Sequence, residues 1–203
     1  MERAYKTVLI NIVKKPLKAF GTIYAFDLYK YQYVFLAIAG MAFTVSRQFY
    51  ALADTRNTFF FPFVTSVVVG AIFGWVGIGI FSLLIYWTGT WIKGRATSRD
   101  IINIMAYASL TNTLILIIGL ICIAALRFLG YSGVNYPHVW GNTYYTIIQC
   151  YFYLTVIINI LYIVLTTLGV SVAQGFSVKK GFFNVLLAAL VLIIPITILV
   201  IVI

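Results

Sequence analysis

Apolar residues return every three to four positions through the first part of the chain. On a helical wheel Tyr5, Val8, Leu9, Ile12, Val13, Leu17, Phe20 and Ile23 share one broad face, and Thr7, Asn11, Lys14, Lys15 and Lys18 share the other. This pattern predicts an amphipathic helix lying in the plane of a membrane interface. Pro16 has no N–H to donate and disfavours helix at the residue before it. A break is therefore expected near Lys15, with Pro16 opening a second short helix.

Beyond residue 30 the alternation gives way to long apolar runs. Tyr29, Tyr31 and Tyr33 read as an aromatic belt before a first span of about residues 31–47, and a polar loop with Asp54, Arg56 and Asn57 follows. The run from Phe59 to Trp91 exceeds one perpendicular crossing of a core about 30 Å thick. Its FFFPF start, residues 59–63, is expected at the interface, with a second span over about 67–91. Three more are expected over about 101–126, 143–168 and 182–202. The pattern thus predicts an all-α polytopic membrane protein, with residues 1–30 as a cytoplasmic amphipathic interfacial segment and 31–203 as a domain of five transmembrane helices.

Composition agrees with that reading. The 203 residues are 63% hydrophobic and only 9% charged, against about 25% charged in soluble domains. The opening MERAYKTVLINIVKKPLKAF lacks the apolar stretch and small-residue cleavage site of a signal peptide, so it is expected to be retained.

The formal charge of +10 is distributed unevenly. Arg3, Lys6, Lys14, Lys15, Lys18 and Lys30 precede the first expected span; Lys93, Arg95 and Arg99 lie between the second and third; Lys179 and Lys180 lie between the fourth and fifth. Only Arg47, Arg56 and Arg127 fall on the other side, which predicts a cytoplasmic N-terminus and an external C-terminus. Lys14, Lys15, Lys18, Lys93, Arg95, Arg99, Lys179 and Lys180 are accordingly the candidates for contact with anionic headgroups or a partner. Nucleic acid is not an expected partner, because no basic folded module is present.

Catalytic chemistry is poorly provided for. Glu2, Asp27, Asp54 and Asp100 all sit at or near expected interfaces, and the only histidine is His138, in the outer loop YSGVNYPHVWGNTYY. A membrane serine protease would need serine and histidine together at depth, and a metal-dependent phosphotransferase would need clustered acids. No enzyme activity, cofactor or metal is expected. Cys122 and Cys150 lie within apolar runs and do not form a zinc or disulfide framework pattern.

The stretch WIKGRATSRD, residues 91–100, is no phosphate loop, since it lacks the glycine spacing and preceding strand. It reads as a hinge in which Gly94 permits a turn and Ser98 or a neighbour caps the next helix, with Asp100 meeting the helix dipole. Ser66, Gly70 and Gly74 recur every four residues and Gly77 continues that side, so this face is expected to pack closely on another helix. Asn112 and Asn159 fall mid-span, where an unpaired amide is costly, and are expected to face the interior and bond each other or Thr111, Thr113 or Thr155.

Three segments carry a family resemblance: IVKKPLKAFGTI with Pro16 and Phe20; WTGTWIKGRATSRDIINIMAYASL with Gly94, Ala96 and Ser98; and LGVSVAQGFSVKKGFF with Gln174, Gly175 and Phe176. Together they resemble the Yip family, the Ypt/Rab-interacting protein domain, in its five-span bacterial form. The resemblance implies the five-span fold with the N-terminus inside. The short region ahead of the first span, unlike the long cytosolic one of eukaryotic relatives, implies a bacterial cytoplasmic membrane. Thr111 and Asn112 stand where members commonly carry a proline after an AYASL-like stretch, so the kink found there is expected to be missing.

The function expected from all this is non-catalytic: an adaptor, scaffold or accessory subunit for other membrane proteins or lipids, with a membrane-protein partner or a second copy of itself. The competing expectation is a small transporter or lipid-handling protein using a polar groove lined by Asn112, Asn159 and Tyr162.

Overall fold

The computed structural model describes residues 2–131 and 141–202. His138 lies outside them. The described residues are all-α, in the order α1 (Glu2–Lys14), α2 (Pro16–Ala25), α3 (Gln32–Arg47), α4 (Phe49–Ala53), α5 (Phe60–Trp91), α6 (Ser98–Ala108), α7 (Thr111–Phe128), α8 (Gly141–Gln174) and α9 (Val178–Val202). Four stretches are long and apolar enough to cross a membrane: Phe60–Trp91, Ser98–Phe128, Thr143–Gln174 and Val178–Pro195. The first expected span corresponds to α3, whose 16 residues rise only about 24 Å.

Local chemistry accounts for the boundaries. Lys15 leaves the helical region (φ −140°, ψ 64°) and Pro16 opens α2, where a missing N–H costs nothing. Helix α5 starts at Phe60, ahead of the span expected from about 67, and tolerates Pro62 because it falls in the first turn, where N–H groups lack intrahelical acceptors. In the proline-free stretch after Ala108, where no kink is expected, Ser109 and Leu110 form a turn between α6 and α7. Asn112 and Thr113 donate their N–H groups to the carbonyls of Ser109 and Leu110, at 2.9 and 3.1 Å, so a tighter i to i−3 turn separates α6 from α7.

The chain divides into two compact units that alternate along the sequence. Unit 1 comprises the described residues of Met1–Tyr33, Val76–Ala108 and Ile163–Ile203. Its interior is built from Phe20 and Ile23 of α2, Ile85 of α5, Ile101, Ile104 and Met105 of α6, and Leu165 and Val170 of α8, all nearly inaccessible. Gly169 brings the α8 backbone against Ile104 and Phe20, leaving no room for a side chain. In α1 and α2, Val8, Ile12, Phe20 and Ile23 are buried whereas Leu9, Val13 and Leu17 stay exposed, so the apolar face expected there is only partly covered.

Unit 2 comprises the described residues of Val34–Trp75 and Ser109–Tyr162. Its core gathers Val45, Phe49, Leu52, Ile123, Leu126, Tyr144 and Tyr151, with the Phe49 and Tyr151 rings stacked at 4.1 Å. Helices α3 and α5 meet at glycine: a Cβ on Gly70 would lie 2.8 Å from Met41 Cα, and one on Gly74 would strike the Gly40 backbone. Thr44 fastens this crossing by donating its hydroxyl to the Ser66 carbonyl at 2.6 Å. Gly77 is exposed, and a Cβ there would meet nothing within 4 Å. The close approach therefore rests on Gly70 and Gly74.

Candidate functional site: the basic loops of unit 1

All eight candidate cations, Lys14, Lys15, Lys18, Lys93, Arg95, Arg99, Lys179 and Lys180, belong to unit 1, and all are exposed. Five of them lie in, or in the first turn after, the two loops that follow α5 and α8, and these loops start in the same way. After α5, Gly94 N–H bonds the Gly89 carbonyl at 2.9 Å and Lys93 N–H bonds that of Thr90 at 3.2 Å. After α8, Phe176 N–H bonds the Ser171 carbonyl at 2.8 Å and Gly175 N–H bonds that of Val172 at 3.3 Å. Both are Schellman endings, in which the residue after the helix turns left-handed to satisfy the last carbonyls. Gly175 adopts φ +69° without strain, whereas Lys93 is a side-chain-bearing residue at φ +62°.

Gln174 joins the loops. Its side chain is buried, and its Oε1 accepts the Ala96 N–H at 3.2 Å while its main-chain carbonyl accepts the Arg95 N–H at 3.4 Å. Gly89 and Gly94 form the slot it occupies, since a Cβ on either would strike its carboxamide. The Arg95 stem lies against Gly175. Below the loops Asn184 of α9 accepts the Thr88 hydroxyl at 2.7 Å and donates to the Ile85 carbonyl at 3.2 Å, a buried polar tie between α5 and α9.

A third segment is fastened to the same loops. Tyr29 donates its hydroxyl to Asp100 at 2.8 Å and lies 3.2 Å from Asp27, and the Arg99 guanidinium sits 4.1 Å over its ring. Burial and the two neighbouring carboxylates push the phenol well above its ordinary ionisation range. Asp100 in turn accepts from Thr97 N–H at 2.9 Å and from its hydroxyl at 2.7 Å, while Thr97 Oγ1 accepts the Asp100 N–H at 3.3 Å. Thr97 and Asp100 thus form the reciprocal cap of α6, with Thr97 the neighbour of Ser98 that the sequence allowed as the cap. Lys180 lies 4.3 Å over the Phe176 ring.

The intramembrane amides lie elsewhere, in unit 2. Asn112 and Asn159 border one cavity of about 110 Å³ with Ser46 and Thr155, but they do not bond each other. Asn159 is exposed and donates to the Thr155 carbonyl of its own helix at 2.8 Å; Asn112 Oδ1 is buried without a hydrogen-bond partner. Among the described residues no three or more His, Cys, Asp or Glu side chains gather to hold a metal ion, and Cys122 and Cys150 are free thiols.

Sequence reasoning named Gln174 only as part of a family motif and passed over Asn184 and Thr88. The available signal was a polar residue at the end of one apolar run and two glycines five positions apart, one at the end of another run and one just beyond it.

No curated protein and no solved structure matches the chain. The Yip1 domain family model matches residues 10–200, nearly the whole length, and covers each of the segments fastened by Gln174 and Tyr29. With a family match over nearly the whole length and four helices of spanning length and apolarity, the chain belongs to the Yip1 domain family and is an integral membrane protein.

Proposed function

We propose that the protein is a non-catalytic organiser of other membrane components, an adaptor or accessory subunit with five spans, its N-terminus in the cytoplasm of a bacterial cell and its C-terminus outside. The observation that carries this reading is the fastening of the loops at 27–31, 92–100 and 174–177 by Gln174 and Tyr29, which holds an exposed basic surface in a set shape. A merely topological signal needs charge but no such rigidity. Helix α3 supplies the fifth span: helical bonds from Gln48 N–H to Thr44 and from Leu52 N–H to Gln48 extend it toward Ala53. The exposed Trp87 and Trp91, stacked edge to face at 4.7 Å just before Lys93, suit a headgroup boundary. Leu9, Val13 and Leu17 offer an apolar strip for the same interface.

The transporter reading draws on the cavity at Asn112 and Asn159. At about 110 Å³ it is well below the roughly 300 Å³ at which small-molecule sites begin, which favours the organiser.

The test is isolation in mild detergent with native mass and identification of co-purifying proteins, for the natural chain and for a variant with Lys93, Arg95, Arg99, Lys179 and Lys180 neutralised. A stoichiometric second protein or anionic-membrane association that weakens in the variant, with melting unchanged, is expected. Association equal in both forms would refute the role of the basic surface.

A further inference from the structure

We infer that the cleft between α8 and α9 of unit 1 is a binding site for one anionic glycerophospholipid, its phosphate on Lys179, its glycerol ester region at Thr167 and one acyl chain against the apolar wall beyond. The inference rests on the reading of the basic loops as facing an anionic leaflet, and it adds a discrete, saturable site to that surface.

The cleft encloses about 370 Å³, within the range of small-molecule sites. Its walls are Ile163, Val164 and Leu168 of α8 with Val178 and Phe182 of α9, and its two polar lining residues are Thr167 and Lys179. Their order along the helices matches an amphiphile. Lys179 lies in the first turn of α9, next to the loop that begins at Gly175. Thr167 lies deeper, because its carbonyl would be 3.1 Å from a Cβ on Gly181. Ile163 and Val164 follow one turn further along α8.

Thr167 shows what the site lacks. Ser171, one turn on, donates its hydroxyl to the Thr167 carbonyl at 2.7 Å, the usual refuge of a helical hydroxyl, but the Thr167 hydroxyl is buried and has no hydrogen-bond partner. Thr167 lines the apolar cleft, and its buried O–H is costly unless an acceptor completes it, as an ester carbonyl would. The cation at the cleft mouth selects a negative headgroup. Inorganic phosphate would satisfy Lys179 but leave the apolar wall uncovered, so the lipid is the occupant.

The experiment uses the full-length chain, stripped of native lipid in detergent and offered an equimolar mixture of phosphatidylglycerol and phosphatidylcholine, with retained lipid counted by native mass spectrometry. One phosphatidylglycerol per chain is expected in preference to phosphatidylcholine. Lys179→Ala should lower its retention roughly fivefold, the worth of one lysine near an anionic headgroup. Val164→Trp should expel the lipid by filling the cleft, and Val178→Trp provides the same readout should the first variant misfold; both positions are exposed, at 47% and 45%. Lys180→Ala removes a cation of the basic surface that does not line the cleft, and should lower retention less than Lys179→Ala. Retention indifferent to Lys179→Ala or to the tryptophans, absence of headgroup preference, or release by excess inorganic phosphate would each overturn the inference. An equal loss in Lys179→Ala and Lys180→Ala would also overturn it, while leaving the broad basic surface of the proposed function standing.

Discussion

Gln174 Oε1 accepts the backbone N–H of Ala96 at 3.2 Å, and the same side chain fills a slot whose walls are Gly89 and Gly94. Two loops separated by some eighty residues of chain are thereby held by one carboxamide. Gly94→Ala places a methyl group against that buried carboxamide and 3.0 Å from the Gly89 carbonyl. A loss of about 1–3 kcal/mol is expected, the usual penalty of overpacking. Gln174→Leu should cost a similar amount by orphaning Ala96 N–H. Hydrogen exchange at Arg95 and Ala96 distinguishes the mechanism: it should accelerate in Gln174→Leu well before global melting.

Lys93 holds a left-handed conformation that glycine adopts freely. Lys93→Gly should therefore raise stability by about 1 kcal/mol while removing one cation from the basic surface. Thermal melting in detergent reads the first effect and binding to anionic vesicles the second. Opposite signs in the two assays are the expected outcome.

Gly74 and Gly77 are three residues apart on α5 but meet different surroundings. A methyl at Gly74 would strike the Gly40 backbone, which can yield only by separating α3 from α5, so Gly74→Ala should destabilise by about 1–3 kcal/mol. At Gly77 it would meet nothing, and Gly77→Ala should gain about 0.5–1 kcal/mol from the lower backbone entropy of the unfolded chain. Melting of the two variants side by side decides this, and equal effects would contradict it.

Arg127 closes the loop after α4 by donating to the carbonyls of Leu52, Asp54 and Asn57 at 3.0, 2.9 and 3.2 Å. Lysine keeps the charge but lacks the planar fork that reaches several acceptors. Arg127→Ala should cost about 1.5–3 kcal/mol, as for hydrogen bonds to charged groups, and Arg127→Lys should recover only part of it. Denaturation of both variants checks the ranking.

Asp54 accepts from the Arg56 side chain at 2.6 Å, and this bond, with the Arg56 backbone N–H, holds its carboxyl below the ordinary value of 3.8. A carboxyl with a depressed folded value contributes stability that is fully present above that ordinary value and is lost as pH falls through the depressed one. The melting-temperature gap between the natural chain and Arg56→Gln should therefore be constant from pH 7 down to about pH 5 and close below pH 4. A gap independent of pH would show that the pair contributes only packing.

The features legible in the sequence are those decided within one or two helical turns. The break at Pro16 and the Thr97–Asp100 cap depend on residues within four positions of one another, and four of the long apolar stretches depend only on composition over about twenty. Partner choice across the chain had no such local signature. In a protein this apolar, periodicity hardly discriminates one helix face from another, so the seat of Gln174 between Gly89 and Gly94, the burial of Asn184 against Thr88 and the exposure of Asn159 could be decided only by which surfaces pack closely enough to exclude a side chain. The turn at Ser109–Leu110 likewise arises without proline, so no local residue announced it. Local sequence determined the helices and where their charges fall; tertiary packing decided which loops became one surface, because close approach depends on the shapes of residues far apart in the chain.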